Sequence, residues 1–155
     1  MKTPLSVALL LAALAAAPAP AQVAPAPAWM PEDWRQLARP IAFEEMQTFL
    51  AAVYGKGGVT VSIAGEGTRG RPVYLVHVGR GGAAPAARRV LFYAQQHGDE
   101  VAGKDALLYL IRDLARDPSR LPAEAELWIL PLMNPDGAVA GTRESGAGVD
   151  LNRDH

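Results

Sequence analysis

Cysteine is absent from the 155 residues, which excludes disulfides, thiolate zinc sites and cysteine nucleophiles and leaves His, Asp and Glu to hold any metal. An excess of one charge is absent too: 15 Lys and Arg stand against 16 Asp and Glu, for a formal net charge of -1, and no Lys/Arg cluster stands out. The chain therefore carries no electrostatic footprint for nucleic acid and no basic amphipathic face for a lipid surface. Internal repeats are missing. So is a long apolar run, because Leu5–Ala17 falls short of the roughly 20 residues that a membrane-spanning helix needs. What remains, 50% hydrophobic and 20% charged, suits one soluble globular domain at most.

The first residues read as an address. Lys2 precedes the apolar run, and the small residues of Ala19-Pro20-Ala21 follow it, so residues 1–21 are expected to be a signal peptide and the protein to be periplasmic or secreted. Residues 22–40 form an Ala/Pro-rich linker and N-terminal segment, stiffened by proline, and after signal cleavage no membrane attachment is expected.

From Ile41 onward the patterns are those of a folded unit. Phe43, Met46, Phe49, Leu50 and Val53 recur at helical spacing, and Gly55 and Gly57-Gly58 end the run, which predicts a helix over Ile41–Val53. Val59–Ala64 and Val73–Val78 are strand-like and separated by the turn-rich Gly65–Arg71, the pattern of a hairpin. Arg89–Ala94 is a nearly continuous apolar run, expected to be a strand covered on both faces. A helix over Gly103–Ala115 follows, with Ala106, Leu107, Leu110, Ile111 and Leu114 on its apolar face, and then a buried-type strand over Leu127–Leu132. Strand, helix, strand in that order predicts a parallel crossover in an α/β sheet, where ligands gather at the carboxyl ends of the strands. Tyr93 and Trp128 are expected in the core.

Both chemical motifs fall just past such an end. In Gln95-Gln96-His97-Gly98-Asp99-Glu100, an imidazole and a carboxylate three positions apart in a tight loop can converge on one ion, and Gly98 removes side-chain crowding. In isolation the pattern fits equally a polar loop whose His and Glu bond backbone groups. Further along come the turn Asn134-Pro135-Asp136-Gly137 and then Gly148-Val149-Asp150-Leu151-Asn152-Arg153.

These three motifs, in this order, resemble those of the zinc metallocarboxypeptidase family of the carboxypeptidase A and B type, in a bacterial-type member. The resemblance runs from about Ile41 to the chain end and includes Ala64–Pro72, similar to the family's Gly-rich loop before its second strand. It implies a carboxypeptidase-like α/β fold, a mixed, largely parallel sheet flanked by helices, of which residues 41–155 would be the N-terminal part. It further implies that His97 and Glu100 are two of three protein ligands of a catalytic Zn2+. Asn152 and Arg153 match the pair that binds a substrate's C-terminal carboxylate, a task suited to a planar guanidinium fork and a neutral amide donor. Arg143 is the candidate for stabilising the oxyanion at the scissile carbonyl, with an exposed loop arginine as the plain alternative. Peptides or cell-wall peptides are the implied substrates.

Some features depart from that pattern. The family takes its third ligand, a His, and its general base, a Glu, from later strands, so these 155 residues alone are expected to be catalytically incompetent and, with an open sheet edge, to aggregate. His155 is read as a loop or outer group and His77 as a buried or edge histidine, neither as a ligand. Asp99, Asp136 and Asp150 are assigned to turn geometry and orienting hydrogen bonds. Ser145 stands where bacterial relatives often have Asn, and Asp154-His155 where the family commonly continues Asn-Phe or Asn-Trp, which leaves side-chain preference open. Two other readings stay in play: an amidohydrolase of the succinylglutamate desuccinylase or aspartoacylase kind, and a non-catalytic module that binds peptide C-termini.

Overall fold

The computed structural model describes residues 39–79 and 88–153, so the expected signal peptide, most of the linker segment and His155 lie outside the described residues. Helix α1, Phe43–Val53, forms where the apolar spacing predicts and buries Met46, Leu50 and Val53. Its start is fixed by Glu45, whose carboxylate accepts the Ala42 N–H at 2.9 Å and pairs with Arg39. A left-handed turn then reverses the chain. Gly58, at φ 79°, lies so close to Gly79 that a Cβ would sit 1.9 Å from its carbonyl oxygen, so only glycine fits.

Strands β1, Val59–Glu66, and β2, Pro72–Gly79, pair antiparallel from Val59↔Val78 to Glu66↔Pro72, with an irregularity between Ile63 and Gly65. This is the expected hairpin. Strand β3, Arg88–Tyr93, leads into helix α2, Ala102–Arg116, and a 3-10 turn at Pro118–Arg120 precedes strand β4, Ala125–Leu130. The sheet order is β1-β2-β4-β3. The β3–α2–β4 unit is the expected parallel crossover, whereas β2 pairs with β4 antiparallel, so the sheet is mixed and its parallel pairing among the described strands is β3–β4. Helix α3, Pro135–Ala140, closes the described elements.

The core fills the space between one sheet face and helices α1 and α2. Val59, Val76, Val78, Leu127 and Ile129 from the strands meet Met46, Leu50, Leu108, Ile111 and Leu114 from the helices. The stripe on α2 differs from the expected one: Leu108 is buried, Ala106 is exposed, and Leu107 and Leu110 are half-buried. Both stripes satisfy helical spacing and share Ile111 and Leu114, so packing rather than periodicity decides between them. Lys104 is also buried on this side. Its ammonium bonds the Ile41 carbonyl and pairs with Asp105 at 3.0 Å, while Asp105 accepts the Ile41 N–H, which ties the start of α1 to α2.

The clearest difference from the sequence-based expectation is β3. It is exposed along its whole length, with Leu91 at 56% and Tyr93 at 54%, rather than covered on both faces. β3 is the edge strand, paired with β4 on one side with no described strand beyond it, and the described residues leave both of its faces largely open. Trp128, on the face opposite the core, is only half-buried and stacks on His77 with ring centroids 4.4 Å apart. His77 Nε2 has no hydrogen-bond partner among the described residues, and Glu126 lies 3.7 Å away.

Candidate metal centre

The parallel β3–β4 pairing does not stop where the strands end. Ala94 N–H donates to Leu130 at 3.0 Å, Met133 N–H to the Ala94 carbonyl at 3.0 Å, and Asn134 N–H to the Gln95 carbonyl at 3.1 Å. These bonds draw the His97 loop and the Asn134 segment together at the carboxyl ends of adjacent strands. Contact is closest at Gly98, where a Cβ would fall 2.0 Å from the Gly137 carbonyl carbon. The Asn-Pro-Asp-Gly segment, expected as a turn, is the first turn of α3: Asn134 caps it by accepting the Gly137 N–H at 2.9 Å, and Pro135 occupies a first-turn position that needs no N–H donor.

His97 is 6% exposed and held at both ring nitrogens. Nδ1 lies 3.0 Å from Glu100 Oε1, and Nε2 lies 3.1 Å from Asp150 Oδ1. The Asn152 N–H at 3.0 Å, with help from Arg143 and His97, holds the Asp150 carboxyl at about 2 against the opposing effect of burial. Asp150 is thus a carboxylate at neutral pH and accepts a hydrogen bond from His97 when Nε2 carries the proton. In that tautomer the Nδ1 lone pair and Glu100 Oε1 face one point, two acceptors that only a cation or proton can reconcile. A neutral imidazole nitrogen and a carboxylate oxygen are donors that zinc accepts, so the pair fits two positions of a zinc site. Among the described residues no group of three or more His, Cys, Asp or Glu side chains could hold a metal ion.

Arg143 lies beside this pair. Its Nε donates to Asp150 Oδ2 at 2.9 Å, and Nη1 is 3.8 Å from Glu100 Oε1. The structure therefore brings His97, Glu100, Arg143 and Asp150 together. Asn152 joins through its backbone N–H, while the exposed Arg153 guanidinium bonds the Asn152 carbonyl at 2.8 Å rather than any of the four. Asp99 is exposed and points to no role here.

Asp136 does more than shape a turn. Its side chain is 1% exposed and accepts from Arg71 Nη1 at 2.8 Å, Arg69 N–H at 2.9 Å and Thr68 Oγ1 at 3.3 Å, which ties the β1–β2 loop to α3. Burial alone would raise its carboxyl, but these bonds outweigh it and the group sits below its ordinary value. Sequence reasoning passed over Arg71 and Gln95. An arginine before a strand and a glutamine before a histidine carry no periodic signal, although Arg71 stands in a loop already singled out.

The profile of the family described as "Zinc carboxypeptidase" matches residues 48–155. Mouse carboxypeptidase M is 32% identical over 132 residues, covering 71% of this chain and 29% of the relative. Among solved structures, a metallo-carboxypeptidase from Burkholderia cenocepacia superposes with a TM-score of 0.65 at 31% identity, over 74% of this chain and 33% of that one. The metallo-carboxypeptidase from Pseudomonas aeruginosa, in complex with (2-guanidinoethylmercapto)succinic acid, gives 0.62 at 31% identity, over 74% and 31%. The chain spans about a third or less of the length of these relatives. A profile match over most of the chain, joined to the same strand, loop and helix framework, places the chain in the zinc carboxypeptidase family.

Proposed function

We propose that this chain supplies half of the metal site and the carboxylate-binding segment of a zinc-dependent carboxypeptidase that hydrolyses the C-terminal amide bond of peptides. The observation that carries the reading is the convergence of His97 Nδ1 and Glu100 Oε1 at 3.0 Å with the other ring nitrogen engaged by Asp150. In that role His97 and Glu100 hold the ion, with a third ligand and a general base from outside the described residues. Bound there, zinc would supply Lewis acidity for carbonyl polarisation and water activation.

The chain's own residues do the rest. Asp150 fixes the His97 tautomer and ring plane. Arg143, anchored through Nε, keeps its Nη groups beside Glu100, where they can steady an oxyanion. Asn152 and Arg153 take the substrate carboxylate, and the succinic acid derivative seen with the Pseudomonas relative supports a carboxylate-recognising pocket. The basic N-terminus and apolar run of residues 1–21 support export, with the catalytic domain beginning near residue 41.

With two donors, the 155-residue chain is expected to bind zinc weakly and to show no turnover. Equilibrium dialysis should find one weak zinc site that His97→Ala and Glu100→Gln abolish. Undiminished binding by both variants refutes the assignment. An acylated dipeptide with a free carboxylate should bind the chain better than its amide, and Arg153→Ala should erase that difference; equal binding of acid and amide would remove the chain-end reading.

A further inference from the structure

Gln95 carries two unfavourable features at once. It is the only non-glycine among the described residues with a left-handed backbone, at φ 52°, and it is 95% buried, with 5% exposed, while its Oε1 has no hydrogen-bond partner there. Glycine would remove the first cost and an apolar side chain the second. Strain of this kind persists where surrounding structure imposes it, commonly beside a functional site.

What Gln95 gains is contact with the metal loop. Its Nε2 donates to the Gly98 carbonyl at 2.6 Å, closing the loop around His97, and its own carbonyl accepts the Asn134 N–H at 3.1 Å. The opposite side of the Gly98 peptide is held as well, because Gly98 N–H donates to the Arg143 carbonyl at 3.3 Å and Asn134 Nδ2 donates to that same oxygen at 3.3 Å. The Gln95 amide thus grips the carbonyl of the residue that follows His97, while its N–H is held by the Arg143 carbonyl, which the Asn134 amide also bonds.

We propose that Gln95 is a positioning residue of the His97 loop, its left-handed backbone and Nε2–Gly98 bond together turning the imidazole toward Glu100 and Asp150. The proposal rests on the metal reading for its purpose but not for its test. In the metal-free 155-residue chain labelled with 15N-histidine, the His97 Nε2 proton, assigned by its loss in His97→Gln, should be visible and protected by Asp150. Gln95→Gly should exchange that proton at least tenfold faster while the His77 backbone amide in the central strand β2 keeps parent-like protection. Gln95→Glu, which keeps length but turns the donor into an acceptor facing a carbonyl, should accelerate exchange similarly.

A merely structural role predicts instead that the His77 amide loses protection together with the His97 proton, and that result overturns the proposal. So does an exchange rate within twofold of the parent, or the lack of a protected proton in the parent. Cobalt titration separates the two ideas: Co2+ affinity should drop roughly 10–100-fold in Gln95→Gly. If the parent and His97→Ala bind cobalt alike while Gln95→Gly still frees the proton, the metal reading falls and the positioning role stands.

Discussion

Replacing Arg71 by methionine should destabilise the protein more than replacing its partner Asp136 by asparagine, and the two costs can be worked from the geometry. Asp136 is 1% exposed, whereas the Arg71 side chain is 32% exposed. Arg71→Met removes one charge-assisted bond of about 1.5–3 kcal/mol and leaves a buried carboxylate on one N–H and one hydroxyl. Breaking a fully buried pair costs about 3–5 kcal/mol, and solvent access at Arg71 sets the expectation near the low end, about 3 kcal/mol. Asp136→Asn keeps the shape and leaves a partly solvated guanidinium, for about 1–2 kcal/mol. In urea denaturation followed by tryptophan fluorescence, about 3 kcal/mol moves the midpoint by roughly 1–3 M.

Acidity supplies a second test of the same pair. The folded Asp136 carboxyl lies below its ordinary value, so its stabilising effect is present above the ordinary carboxylate range and is lost as pH falls through the lower folded value. Without Arg71 its hydrogen bond and charge no longer hold the carboxyl down against burial, so the carboxyl moves up from its parent value and protonation relieves the variant. The gap between parent and Arg71→Met should therefore shrink from pH 7 to pH 4. A gap that stays constant, or an Asp136→Asn variant less stable than Arg71→Met, would refute the reasoning.

Three further outcomes are expected. Gly98→Ala drives a Cβ to 2.0 Å from the Gly137 carbonyl carbon, so it should cost about 3 kcal/mol and weaken zinc binding; a parent-like melting temperature and zinc affinity would show that the loops are not in contact. The Asp150 carboxyl, held at about 2, should keep the His97 arrangement intact above pH 4 and lose it only between about pH 4 and pH 2; a carboxyl 13C titration with a midpoint near 4 contradicts this. Leu91→Lys, on the exposed β3 edge, should reduce self-association in sedimentation velocity, and unchanged association would place the sticky surface elsewhere.

The sequence was most informative where a repeating physical constraint left a pattern. The apolar periodicity of α1, the turn-separated strands of the hairpin and the crossover at β3–α2–β4 all follow from it. It misled where one pattern suits two environments. The apolar run of β3 is what a two-sided strand requires, yet the described residues cover neither of its faces fully, and the chain spans only about a third or less of these relatives' length. Of the site, His97, Glu100 and Arg143 stand out by residue type. The contacts that place them do not, since the Asp150–His97 bond spans 53 positions and the Asp136–Arg71 bond spans 65.

Those long-range bonds explain why the three motifs belong together physically. Asn134 accepts from Gly137, donates from its backbone to Gln95 and from its side chain to the Arg143 carbonyl, and so joins α3, the His97 loop and the arginine segment. Asp136, two positions on, adds the β1–β2 loop. None of these bonds touches the point where His97 and Glu100 converge. The Asn-Pro-Asp-Gly segment is therefore a joint: its polar side chains face protein on every side, and its chemistry is to hold three loops in register so that an imidazole and a carboxylate meet at the end of the sheet.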